Sequence, residues 1–218
     1  MGYQEIMREY ANQRARCAGK SVDELLALAN GNEIKFIQAL EMAVQQKSER
    51  AGEDGMSEEE VIVLAVEALE REVNNGGYSQ FFVNSSREFT PIIVHALLRI
   101  GCPETAEITK RAIAAAGFQG LAPIALAGAL EAYGKEYGRE NAHRFINPKE
   151  AQAIVDGIVS DDSYSVPDRG KPNSVSSKAW DALEKDLDEC DQLYYRAGEN
   201  IGGQLIDFVK ANKNAIQP

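Results

Sequence analysis

In the stretch DALEKDLDECD, Asp181, Glu184, Asp188 and Asp191 follow one another at intervals of three, four and three residues. That spacing stacks side chains into one ridge along a helix. Trp180, Leu183, Leu187, Cys190 and Tyr194 fall on another side and make its buried stripe. Like charges at these intervals destabilise a helix by roughly a few tenths of a kcal/mol per pair, and Lys178 and Lys185 offset part of that. The rise from Asp181 to Asp191 is about 15 Å, and a DNA strand sets one phosphate every ~3.4 Å of axis, so four carboxylates over this length approach strand-like charge density. A plain solvated face has the same pattern. A second acidic face lies in SEEEVIVLAVEALEREV: at about 100° per residue, Glu59, Glu60, Glu67 and Glu70 share one side of the helix. Val61, Ile62, Ala65, Val66, Leu69 and Val73 share the other.

Charge supports attention to these faces. The 218 residues include 23 basic and 34 acidic side chains, for a net −11. Residues 1–50 carry seven of each sign, so the whole surplus lies in residues 51–218. Such a chain attracts a basic protein and not nucleic acid, whose phosphates need clustered Lys and Arg.

Other chemistry is hard to assemble. The sequence has no HExxH, GxSxG, Walker A, zinc-spaced cysteine or EF-hand pattern, and no catalytic residue, metal or cofactor is assigned. His95 sits in the apolar IIVHALL, which reads as a hydrogen-bonded core histidine, and His143 has no motif partner. Cys17, Cys102 and Cys190 are widely spaced, as expected of reduced thiols. The opening MGYQEIMREY has no apolar leader and no run is fit to span a bilayer, so a soluble cytoplasmic protein is expected.

The elements that must position the acidic faces are helices throughout. The pattern predicts an all-α fold: a compact multi-helix domain, residues 53–218, with an N-terminal helical extension, residues 1–52. Helices are expected over 2–18, after the Ser21 and Glu24 capping pair, over NEIKFIQALEMAVQQKSE, and from Ser57 to about Val73. RAGEDGMS separates extension from domain. Thr90 and Pro91 predict a helix start that runs to Gly101, and Pro103 to Gly117 repeats that grammar. Further helices are expected in LAPIALAGALEAYGKEYG and NPKEAQAIVDGIV, a surface loop in SDDSYSVPDRGKPNS, then helices over about 174–197 and in IGGQLIDFVKAN.

Between these lies NNGGYSQFFVNSSREF. Gly76 or Gly77 suits a left-handed helix end. Tyr78, Phe81 and Phe82 share one helical face, and Asn74, Asn75 and Asn84 suit backbone groups left open by turns. Gln80 completes the motif, whose expected role is structural. The longer EREVNNGGYSQFFVNSS resembles the signature of a bacterial DNA-mimic protein family. HALLRIGCPETAEITKRAI is similar to that family's next helix pair and LDECDQLYYRAGENIGGQLIDFVKAN to its closing helices, giving a resemblance over about 57–212. Arg87 stands where the family pattern has Gly.

The resemblance implies an all-helical domain, commonly dimeric, whose carboxylates imitate DNA phosphates toward a DNA-binding regulator. The leading expectation is therefore a non-catalytic protein that binds such a partner through Glu59, Glu60, Glu67, Glu70, Asp181, Glu184, Asp188 and Asp191 and competes with DNA. A helical interaction or immunity-type module with apolar contacts is the alternative. An enzyme with a pocket near Tyr78, Gln80 and His95 is a third reading.

Overall fold

A computed structural model describes residues 2–52, 55–116 and 174–218, with the side chains of 83 and 174–184 excepted. The described residues are helical, without strands. The helices are α1 (Tyr3–Cys17), α2 (Val22–Ala29), α3 (Glu33–Ala51), α4 (Glu58–Val83), α5 (Ile93–Ile100), α6 (Pro103–Ala115), α7 (Ser174–Ala197) and α8 (Ile201–Ala211), with a 3-10 turn over Ser85–Phe89 before α5. The helices expected within 118–158, the loop at 160–174 up to Asn173, and His143 lie outside the described residues.

The chain divides into two compact units, each made of separate stretches. The first combines Met1–Glu67, Ala96–Cys102 and Asn200–Pro218; the second combines Ala68–His95 and Pro103–Glu199.

In the first unit, α3 packs against α1, α2 and α8. Its core includes Leu25, Phe36, Leu40, Val44, Val63, Val66, Leu97 and Leu205, all essentially inaccessible to solvent. Ser21 closes the start of α2 by a reciprocal pair: its Oγ accepts the Glu24 N–H at 3.3 Å, and Glu24 accepts the Ser21 N–H at 2.8 Å. These bonds and Lys20 hold the Glu24 carboxyl below its ordinary pKa.

The same pattern at the start of α4 gives a different result. Ser57 Oγ accepts the Glu60 N–H at 3.2 Å and Glu60 accepts the Ser57 N–H at 2.9 Å, as the sequence predicts. Yet Glu60 is fully buried. Its carboxylate also takes Lys47 Nζ at 2.8 and 2.9 Å and the backbone N–H of Gln217 at 2.8 Å, while Lys47 donates to the Gln217 carbonyl at 2.9 Å. An ionised carboxylate removed from water needs such a full set of donors. Glu60 thus ties α3, the start of α4 and the C-terminal segment together, and it does not stand on an outward acidic face as expected.

Two further expectations need correction. Thr90 does not cap α5: Ser85–Phe89 forms the 3-10 turn, the Thr90 and Ile92 N–H groups bond to Arg87 and Phe89 carbonyls, and α5 starts at Ile93. Arg87 is not among the residues with positive φ, so the turn does not require the glycine of the family pattern. His95 is exposed, because α5 buries Ile93, Ala96, Leu97 and Ile100 and turns the residue between them outward. All three cysteines are buried free thiols.

Replacing Glu60 by Ala leaves Lys47 and two backbone N–H groups without their acceptor, and is expected to destabilise the protein by about 2–4 kcal/mol. Glu58→Ala, which removes an exposed partner of Arg99, is expected to cost no more than about 1 kcal/mol. Urea denaturation followed by circular dichroism compares the two.

Candidate functional site

The conspicuous motif lies in the second unit, where α4 bends. Gly76 is extended (φ −163°), Gly77 is left-handed (φ +76°, ψ −175°), and the helix resumes at Tyr78. A restarted helix has open N–H groups. Asp191 of α7 accepts the Tyr78 N–H at 2.7 Å, which makes it a cap supplied by a remote carboxylate. Gly77 permits that approach: a Cβ there would lie 2.1 Å from Asp191 Oδ2.

After the bend, Tyr78, Phe81 and Phe82 are fully buried. The Tyr78 hydroxyl pairs with Thr109 Oγ1 of α6 at 2.7 Å, and its ring meets Tyr194 of α7 edge-on with centroids 6.0 Å apart. Burial pushes the Tyr78 phenol far above its ordinary pKa, so it is a neutral hydroxyl. The Asn74 side chain donates to the Glu70 carbonyl at 2.8 Å, and Asn75 is exposed.

The polar residues of the motif converge on Glu72, only 7 % exposed. Gln80 Nε2 and Asn84 Nδ2 donate to its Oε2 at 2.9 and 2.6 Å, and Ser86 Oγ donates to Oε1 at 2.9 Å. Burial alone raises this carboxyl. The bonds from Asn84, Gln80 and Ser86 and the Arg71 charge outweigh it and hold the pKa below the ordinary value. Glu72 is therefore an ionised anchor, and its donors lie eight, twelve and fourteen residues along the chain. Wheel spacing within one helix does not reveal such a set, and Glu72 escaped the sequence reading. So did Glu199, which accepts the N–H groups of Glu104 and Thr105 at 3.1 and 2.8 Å in the first turn of α6.

The expected acidic residues divide into inward and outward groups. Glu70 is half-buried, accepts the Tyr194 hydroxyl, and has a pKa raised by burial. Asp191 is also half-buried; burial raises its pKa, the Tyr78 N–H opposes that, and the Asp188 charge adds to it. Neither fits the expected outward ridge. Glu59 and Glu67 are partly exposed, with Glu59 3.5 Å from Arg99. Asp188 is exposed, as are Asp186 and Glu189, the last paired with Arg111 at 2.6 Å. Asp181 and Glu184 belong to α7, but their side chains lie outside the described set.

The three residues of the enzyme reading do not converge on a shared open site among the described residues. The Tyr78 hydroxyl and Gln80 amide are engaged as above, and His95 is exposed. A cavity of about 350 Å³ lies in the first unit, between Gly19–Asp23 and Lys213–Pro218. Among the described residues no group of three or more His, Cys, Asp or Glu is placed to hold a metal ion, and no helix is long and apolar enough to cross a membrane.

Residues 54–151 match the model of the DMP19-like protein family, which supports the resemblance to the DNA-mimic family over that stretch. The match takes in the whole motif and α4 to α6, and stops short of α7 and α8. No curated protein and no solved structure matches the chain.

The two glycines of the bend are expected to differ. Gly77→Ala places a side chain against Asp191 at left-handed φ and costs about 2–4 kcal/mol, whereas Gly76→Ala has no left-handed φ to strain, meets the Gln80 side chain, a donor to Glu72, and costs less. Thermal unfolding of the two variants measures the difference.

A pH dependence follows from Glu72. Its folded pKa is lowered, so its contribution is present above the ordinary carboxylate value of about 4.3 and is lost as pH falls through the lower folded value. Glu72→Gln is expected to lose about 1–3 kcal/mol at pH 7 and to flatten the decline of stability below pH 4; urea midpoints across that range check both.

Proposed function

We propose that this chain is an acidic, non-catalytic binding protein that presents carboxylates to a basic, DNA-binding protein and competes with DNA for it. The observation that carries this reading is the pair of exposed carboxylates Asp186 and Asp188 on α7. No ion pair to either is present among the described residues. The match to the DMP19-like family and the net charge of −11 support the same reading.

The proposed contact surface is narrower than the eight carboxylates of the sequence pattern. Glu60, Glu70 and Asp191 hold the protein's own donors, so each is a poor candidate for phosphate imitation. Asp188 remains as an exposed member; Glu59 and Glu67 are only partly exposed, and Glu59 lies 3.5 Å from Arg99. Asp181 and Glu184 extend the α7 series by sequence position. A partner that reads DNA phosphates through Arg and Lys meets carboxylates with the same charge-assisted hydrogen bonds.

Affinity capture from native cell extract at low and high salt tests the reading directly. A basic DNA-binding protein is expected in the low-salt eluate, displaced by duplex DNA and weakened at least about tenfold by high salt or by Asp186→Lys with Asp188→Lys. Capture that ignores salt and charge reversal, or a complex that also holds DNA, contradicts mimicry and favours an apolar interaction module.

A further inference from the structure

Lys47 and Glu60 form a clasp that grips a stretch of main chain. Glu60 accepts the Gln217 N–H at 2.8 Å, and Lys47 Nζ donates to the Gln217 carbonyl at 2.9 Å. Both backbone groups of one residue are thus held, as a neighbouring strand holds them in an antiparallel ladder. The clasp is assembled without its cargo: Lys47 and Glu60 neutralise each other at 2.8 and 2.9 Å, and Ser57 supplies a further N–H. Because the clasp reads main chain, it is indifferent to the side chain it grips. The Gln217 side chain accordingly turns back to the Asn214 carbonyl at 2.9 Å.

The flanking residues supply the selectivity. Ile216 is 1 % exposed and Pro218 is buried, whereas Lys213, Asn214, Ala215 and Gln217 are exposed. The gripped segment therefore offers an aliphatic residue, a free position and a proline. Alongside it lies the cavity of about 350 Å³ that Gly19, Lys20 and Val22 line from the other side. Close-packed interiors leave few voids larger than a water molecule, so the segment does not fill the space it borders. A stretch with few buried side chains and space beside it is of the kind that opens locally without global unfolding.

The geometry points to an exchangeable peptide site: Lys47 and Glu60, with the cavity alongside, bind an extended peptide that carries an aliphatic residue two positions before proline, and residues 216–218 of the chain itself occupy the site in cis. Main-chain bonds give such a site its affinity and the two side-chain positions its selectivity. A peptide from a partner competes with the tethered segment, so its apparent affinity for the native chain is reduced by the fraction of open site.

Fluorescence anisotropy with a labelled synthetic peptide of residues 213–218 tests this. Ile216→Asp in the full chain, which unseats the tethered segment, is expected to bind the peptide at least about tenfold more tightly than the native chain does. Methylating the peptide nitrogen of Gln217, which removes the N–H that Glu60 accepts, is expected to weaken that binding at least about tenfold. A variant that is folded by circular dichroism and takes no peptide overturns the proposal, as does equal binding of the methylated form. The native chain gives a second reading should the variant not fold. Hydrogen exchange at its Gln217 amide is expected to be at least about a hundredfold faster than at the Leu40 amide of α3; exchange of both at one rate, through global unfolding, overturns the proposal.

Discussion

A carboxylate withdrawn wholly or partly from water must find donors, and much of this structure follows from how two buried and two half-buried groups are satisfied. Glu72 collects the side chains of Gln80, Asn84 and Ser86. Glu60 collects an ammonium and two backbone N–H groups. Asp191 and Glu199 take the open N–H groups at a helix bend and a helix start. Each converts a liability of burial into a tie between parts of the chain distant in sequence. Helix starts favour negative charge, so an acidic composition is well suited to an all-helical fold with many helix ends to close.

This internal use changes the meaning of the net charge. The surplus of acidic residues divides into carboxylates committed to the fold and carboxylates facing water, and only the second kind is available to a partner. On α7 the two kinds alternate within one turn: Asp188 is exposed, while Asp191 turns toward Tyr78. The solvated acidic face and the helix cap therefore draw on neighbouring positions of the same helix.

Local features were readable in the sequence because their partners are close by. The reciprocal pairs Ser21 with Glu24 and Ser57 with Glu60, the glycine end at Gly101, and the core role of Tyr78, Phe81 and Phe82 all depend on residues a few positions apart. The direction of a carboxylate does not. A helical wheel places Glu60 beside Glu67, yet whether that side meets water is set by Lys47 and Gln217, 13 and 157 residues away. His95 failed for the converse reason, since apolar neighbours in sequence do not fix which side of a short helix is covered. The motif's centre, Glu72, stands just before it and is defined by donors from beyond the bend.

The cap at the bend also sets an order of events during synthesis. Tyr78 and Asp191 are separated by 113 residues. At about 5–20 residues per second, the ribosome takes roughly 6–20 seconds to supply the carboxylate after the tyrosine. Throughout that interval the second part of α4 has an open first turn and a bend with no lock, and its aromatic face lacks Tyr194 as a neighbour. The motif thus emerges well before the carboxylate that locks its bend, so its aromatic face stays without Tyr194 while the intervening residues are made.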